Sequence, residues 1–210
     1  MLPTRELSEL GIPDLVDDGP DVTVYTLSGD VSGYLREYHN PAEVAFDELS
    51  RLLERIESAP PELARLLRRT LALPKAVITD AGLSFAVLID RPEPRFWRGD
   101  HPRRLSYLVH ATSGDANDAE TGESTRIQLL CQIAELVEAL HRLDIVLGAP
   151  STDSVLWSGG SPVACWFTEV DRFRVIGRRS PTGTGTTPTG TEADCRWLAT
   201  TTMRILLSRP

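Results

Sequence analysis

Polar and turn-forming residues fill positions 1–20, and Asp17-Asp18-Gly19-Pro20 closes them off as an N-terminal extension. Val22 and Val24 then alternate with polar neighbours and Leu27 follows, which predicts a first strand. Ser28-Gly29-Asp30 reads as a turn and Gly33–Tyr38 as a second strand. Asn40-Pro41 has the form of a helix start, a cap residue followed by proline. Ala45, Leu49, Leu52, Leu53 and Ile56 keep helical spacing, so a helix is expected over 41–57. Pro60-Pro61 breaks it, and Leu63, Leu66, Leu67 and Leu71 predict a second, short helix. Two strand-like runs, 76–78 and 84–89, flank the hairpin signal Asp80-Ala81-Gly82. Arg91-Pro92-Glu93-Pro94 is a stiff connector. The stretch 112–124 is polar and loop-like. After it, Ile127, Leu130, Ile133, Ala134, Val137 and Leu140 mark the strongest helix, ending near His141. A Gly/Thr-rich tract, 180–191, precedes a last helix expected over 192–207. The sum is an α+β chain with a strand-rich first part (21–90), a hinge near 89–95 and a mostly helical second part (91–210).

Composition narrows the function classes. The 210 residues are 41% hydrophobic, enough for a sizeable core. A net charge of −8 argues against nucleic acid or an anionic membrane as the main partner, although Arg65, Arg68 and Arg69 form a local basic patch. Three cysteines without a CxxC pair fit a reducing compartment, and the four histidines lack metal-ligand spacing. No apolar run approaches the ~20 residues of a membrane span. The opening MLPTRELSEL is too acidic and polar for a signal peptide, so a cytoplasmic location is expected.

Candidate chemistry concentrates between His141 and Phe173: a helix end, a short loop, a Val-Leu-Trp strand, a Gly-Gly hairpin, a second strand and an acidic turn. That order, with the strand-rich part before it, resembles the bilobal protein-kinase fold. The similarity is to bacterial, actinobacterial-type kinase-like domains whose metal loop reads Ile-Asp-x-Asp-x-Phe, and it runs through about 22–207. The resemblance implies a glycine-rich turn over the phosphates, here Leu27–Gly33, and a phosphate-pairing lysine position occupied by Arg36. It implies a partner glutamate on the 41–57 helix, for which Glu48 is the candidate, and an adenine-contacting connector at Leu88, Ile89 and Asp90.

The departures are concentrated where the family does its chemistry. The catalytic triplet becomes Leu147-Gly148-Ala149, and alanine has no group to orient a hydroxyl or take its proton. The magnesium-ligating asparagine position holds Ser154, a shorter ligand. His141-Arg142-x-Asp144 sits too early to be the triplet and reads as helix-end packing or capping. In the metal loop two registers remain open, with Glu169 or Asp171 as the metal carboxylate. Asp194 falls where the family braces its catalytic loop. The activation segment corresponds only to the Gly/Thr-rich tract 180–191, and a substrate platform is expected to be absent. The resemblance therefore implies a pseudokinase: a regulatory module with a protein partner in a signalling complex, no assigned catalytic residue, and at most weak ATP and Mg²⁺ binding. The alternative is an atypical phosphotransferase using Glu169, Asp171 or Asp153.

Overall fold

A computed structural model describes residues 2–28, 31–110, 122–148 and 150–176. Within them the chain is α+β. Strands β1 (Thr4–Glu6), β2 (Asp14–Asp18), β3 (Val22–Leu27), β4 (Gly33–Tyr38), β5 (Pro74–Asp80) and β6 (Leu83–Ile89) form one mixed sheet in the order β1-β5-β6-β4-β3-β2. Only the β1–β5 pair is parallel. Helices α1 (Phe46–Glu57) and α2 (Pro61–Thr70) are inserted between β4 and β5. Beyond the connector come two short strands, β7 (Trp97–Arg98) and β8 (His101–Pro102), then α3 (Leu105–His110) and α4 (Glu123–His141). The two-residue strands β9 (Ile145–Val146) and β12 (Arg174–Val175) pair with each other and enclose the β10 (Val155–Ser158)–β11 (Ala164–Phe167) hairpin.

Strands β3 and β4 and the Asp80-Ala81-Gly82 hairpin appear where the sequence predicts, although Thr23 is more buried than Val22 and Val24 on either side of it. The N-terminal stretch does not stay outside the sheet, because residues 4–6 and 14–18 supply its two edge strands. All eight residues are exposed, so no apolar alternation could announce them. The α1 start also differs. Pro41 opens a single 3₁₀ turn, Val44 is extended, and the α-helix begins at Phe46. Asn40 does not cap that turn, and its amide donates instead to the Glu43 carboxylate at 2.6 Å.

Strand periodicity gives the sheet two different faces. Leu27, Leu35, Ala76, Ile78, Ala86 and Leu88 make one apolar cluster. Tyr38, Val77, Val87 and Ile89 turn the other way and meet Leu49 of α1, Phe96, Leu156 and Trp166. A third and larger core joins α1, α2, α3 and α4 around Leu67, Leu105, Ile133 and Leu136. In α4 the buried stripe is Leu129, Ile133, Leu136, Val137 and Leu140, whereas Ile127 is 46% exposed and Ala134 faces out, so the apolar face is rotated from the one expected. Helix α1 spans two cores, with Leu49 in one and Leu52 and Ile56 in the other. Its Arg55 also donates to the Leu143 carbonyl at 2.8 Å and pairs with Asp144. This ties the sheet's helix to the segment that follows α4. The helix expected over 192–207 lies outside the described residues, as do the Gly/Thr-rich tract and most of the loop at 112–124. Among the described residues, no helix is long and apolar enough to cross a membrane.

Candidate functional site

A cleft of about 330 Å³ separates the sheet from the segment 150–172. That volume is at the small end of the usual range for ligand pockets. Tyr34, Arg36 and Ile89 form its back wall, the β2–β3 turn (Asp17 to Val22) its roof, and Ser151, Asp153, Leu156, Trp166, Thr168 and Glu169 its floor. Tyr34, Arg36 and Tyr38 share one face of β4 because side chains alternate along a strand. Arg36 therefore projects toward the floor from the middle of the sheet, with only 6% of its surface exposed.

The Arg36 guanidinium lies between two carboxylates, 3.8 Å from Glu169 and 3.7 Å from Asp171, and donates to the Thr168 carbonyl at 3.2 Å. Burial works against the charge on Arg36, but Asp171, Tyr38 and Glu169 outweigh it and hold the group more firmly protonated than usual. Burial pushes the Glu169 carboxyl above the usual range, opposed by Arg36 and Arg172 and reinforced by Asp171 and Asp21. The Tyr38 hydroxyl is raised by burial and by Asp171. Arg36 Nε has no hydrogen-bond partner. Glu48, the expected partner, is not in this cluster. Its carboxylate binds Arg51 on its own helix, one turn on, at 2.5 Å. Glu169 and Asp171 flank the same guanidinium, so the two registers for the metal loop lead to one ionic cluster.

Two ion pairs span the mouth of the cleft. Asp17 of β2 meets Arg104 at 2.5 Å, and Asp21 of the roof meets Arg172 at 3.1 Å. The roof is poor in anion donors. Pro20 has no N–H, and the Gly19 N–H is already bonded to the Val22 carbonyl at 3.0 Å. The roof is thus the Asp17–Asp21 turn and not the Leu27–Gly33 turn that the resemblance suggested. That second turn joins β3 to β4; its described residues do not line the cleft, and Gly29 and Asp30 within it are outside the described residues.

On the floor, Ser154 is 2% exposed and its hydroxyl is used locally. It donates to the Ser151 carbonyl at 2.7 Å and accepts from the Ser151 N–H at 3.2 Å, while the Ser151 hydroxyl accepts from the Asp153 N–H. This is a capping box on a short 3₁₀ turn. It turns Ser154 away from any ligand. Asp153 faces the cleft, and its carboxylate accepts a hydrogen bond from Ser106 of α3. Leu147 is fully buried in the helical core. Gly148 has φ +78°, and a Cβ there would stand 2.4 Å from the Arg172 carbonyl oxygen, so the loop and the acidic turn pack backbone to backbone. Ala149 and Asp194 lie outside the described residues.

No protein-family model matches the chain, and no curated protein matches it.

Of the three connector candidates, Ile89 lines the cleft. Leu88 packs on the opposite face of the sheet, and exposed Asp90 pairs with Lys75. Phe96 is a packing residue, stacked on Trp166 at 6.4 Å. Sequence reasoning missed Asp17, Asp21, Arg104 and Arg172. The run Asp-Asp-Gly-Pro-Asp was the available signal, since an acidic turn between two strands is a hairpin tip as readily as a terminator. Among the described residues, no group of three or more His, Cys, Asp or Glu is placed to hold a metal ion.

Proposed function

We propose that this chain is a bilobal protein-kinase-like domain of the pseudokinase kind, a cytoplasmic regulatory module that acts by binding a protein and not by transferring phosphate. The order of its parts supports the fold reading. An antiparallel run of three strands carries a buried cation, Arg36, on its third member; two helices, a hairpin and a proline connector follow; then, after two two-residue strands and a short helix, come a long helix, a loop, a short hairpin and an acidic turn. A kinase sets out its phosphate-pairing strand, connector, catalytic loop and metal loop in that sequence.

The observation that carries the functional reading is Arg36 seated between Glu169 and Asp171. By the resemblance, one of those carboxylates, Glu169 or Asp171 according to the register, falls where the family holds magnesium. Mg²⁺ demands near-octahedral oxygen ligation and gives up water reluctantly. To recruit either carboxylate it would have to displace a guanidinium that is itself buried. Arginine is permanently charged near pH 7, so Arg36 cannot free the carboxylates by losing its proton. Ser154 is engaged in a cap, and the roof supplies two aspartates where phosphates would need donors. Several parts of one cooperating constellation are therefore committed to structure. The apolar walls leave room for weak, metal-independent contact with a nucleoside.

A second reading has one observation in its favour: Asp153 lies in the cleft with no cation among its described partners. In that reading it accepts the substrate proton in a residual phosphotransferase. A transfer assay with radiolabelled ATP, Mg²⁺ or Mn²⁺ and a protein acceptor separates the two. The module reading expects no transfer above an enzyme-free control. Metal-dependent transfer that disappears in Asp153→Ala would replace it with the second.

A further inference from the structure

We infer that the outer face of α2 is a docking surface for an acidic peptide segment of a partner protein. Arg65, Arg68 and Arg69 stand three and four residues apart, so their side chains share one face of the helix. All three are exposed, and none has an ion pair or hydrogen bond among the described residues. They line an open depression of about 640 Å³ with Ala59, Pro61 and Ala64 at the α1–α2 junction. Glu57 borders the same depression and Glu62 precedes Arg65 by three positions, yet neither pairs with these arginines. Several arginines elsewhere, among them Arg51, Arg55, Arg104 and Arg172, are paired with carboxylates of the chain itself.

Intrinsic helix physics explains only part of this. Cations in the last turn complement the helix dipole, which accounts for Arg68 and Arg69, but Arg65 lies a turn earlier. Like charges at this spacing repel, so the triplet weakens the helix that carries it. A carboxylate-bearing ligand would relieve that repulsion, and guanidinium forks match carboxylates two bonds at a time. Arginine is also enriched where proteins meet. The occupant follows from charge. A chain of net charge −8 repels the long polyanion of a nucleic acid while leaving a short acidic peptide free to use a local basic patch. An anionic membrane is met by larger basic clusters or by an apolar stripe, and the exposed side of α2 has neither.

This inference deepens the binding-module reading and is tested apart from it, since the α2 face does not line the cleft. The probe is a fluorescein-labelled peptide of alternating Glu and Asp, titrated by anisotropy with the full chain at low salt. Saturable binding is expected, weakened about tenfold or more in the Arg65→Glu/Arg68→Glu/Arg69→Glu variant and unchanged in Arg98→Glu. All three positions are exposed, so thermal melting should show the triple variant folded. Absence of saturable binding, or equal binding by the triple variant, would overturn the inference. So would tighter binding of duplex DNA or phosphatidylserine vesicles to the same face, or self-association that the triple variant abolishes.

Discussion

Removing the Arg36 side chain leaves Glu169 and Asp171 beside each other with little solvent, because their side chains are 21% and 12% exposed. Breaking a buried ionic cluster from one side costs about 3 kcal/mol or more, so Arg36→Ala should lower the urea midpoint accordingly, and acidification should recover part of the loss. A mutant as stable as wild type at neutral pH would show the cluster to be incidental. Glu169 gives a test with a definite sign. Its carboxyl is raised by burial, so the native state favours the protonated form. The corresponding stability is present at low pH and is lost as pH rises through the native pKa. Glu169→Gln copies the neutral form, so its stability relative to wild type should improve as pH rises from the usual carboxylate range toward neutrality. The opposite trend would refute the assignment. Ser154→Ala removes half of a capping box and should cost about 1 kcal/mol, with no effect on any ligand affinity. Arg36 was visible in the sequence as a strand cation. Its partners were not, because the kinase resemblance pointed to Glu48 on the helix while the contacts come from more than a hundred residues away.

Among the elements, the β2–β3 hairpin is bridged across the mouth of the cleft by Asp17 to Arg104, just before α3, and by Asp21 to Arg172 of the acidic turn. Exposed pairs of this kind contribute about 0–1 kcal/mol each. Asp17→Asn with Asp21→Asn should therefore barely shift the melting temperature, yet should speed amide exchange in residues 16–22. Unchanged exchange would mean that the turn is held by the sheet alone. Gly148 is the opposite kind of contact, rigid and without slack. Gly148→Ala sets a Cβ against the Arg172 carbonyl oxygen at positive φ and should cost more than about 2 kcal/mol. How legible an element was depended on how it is buried. β3, β4 and the β5–β6 hairpin show alternation and turn chemistry because each has a covered face. β1 and β2 are edge strands with every residue exposed, so their sequence carries no such pattern. The long helix was plain from its periodicity, but its apolar side was displaced because α4 packs against α2, β9 and β11 and so buries Leu129 and Leu136 as well.

For the whole molecule, the cleft combines apolar walls with charges of opposite sign that face one another. Arg36, Arg104 and Arg172 answer Glu169, Asp171, Asp17 and Asp21 across the gap between the sheet and the second half of the chain. In the proposed reading, this pairing sits where a kinase would hold metal and phosphate. A thermal-shift titration with ATP, with and without Mg²⁺ or Mn²⁺, tests it most directly. A ligand that binds only the folded state adds about 2.7 kcal/mol at a hundredfold excess over Kd, a shift that is easily read. The account predicts a small or absent shift with ATP, unchanged by either metal. A large shift that appears only when metal and ATP are both present would contradict it, because Glu169 or Asp171 would then have exchanged Arg36 for the metal.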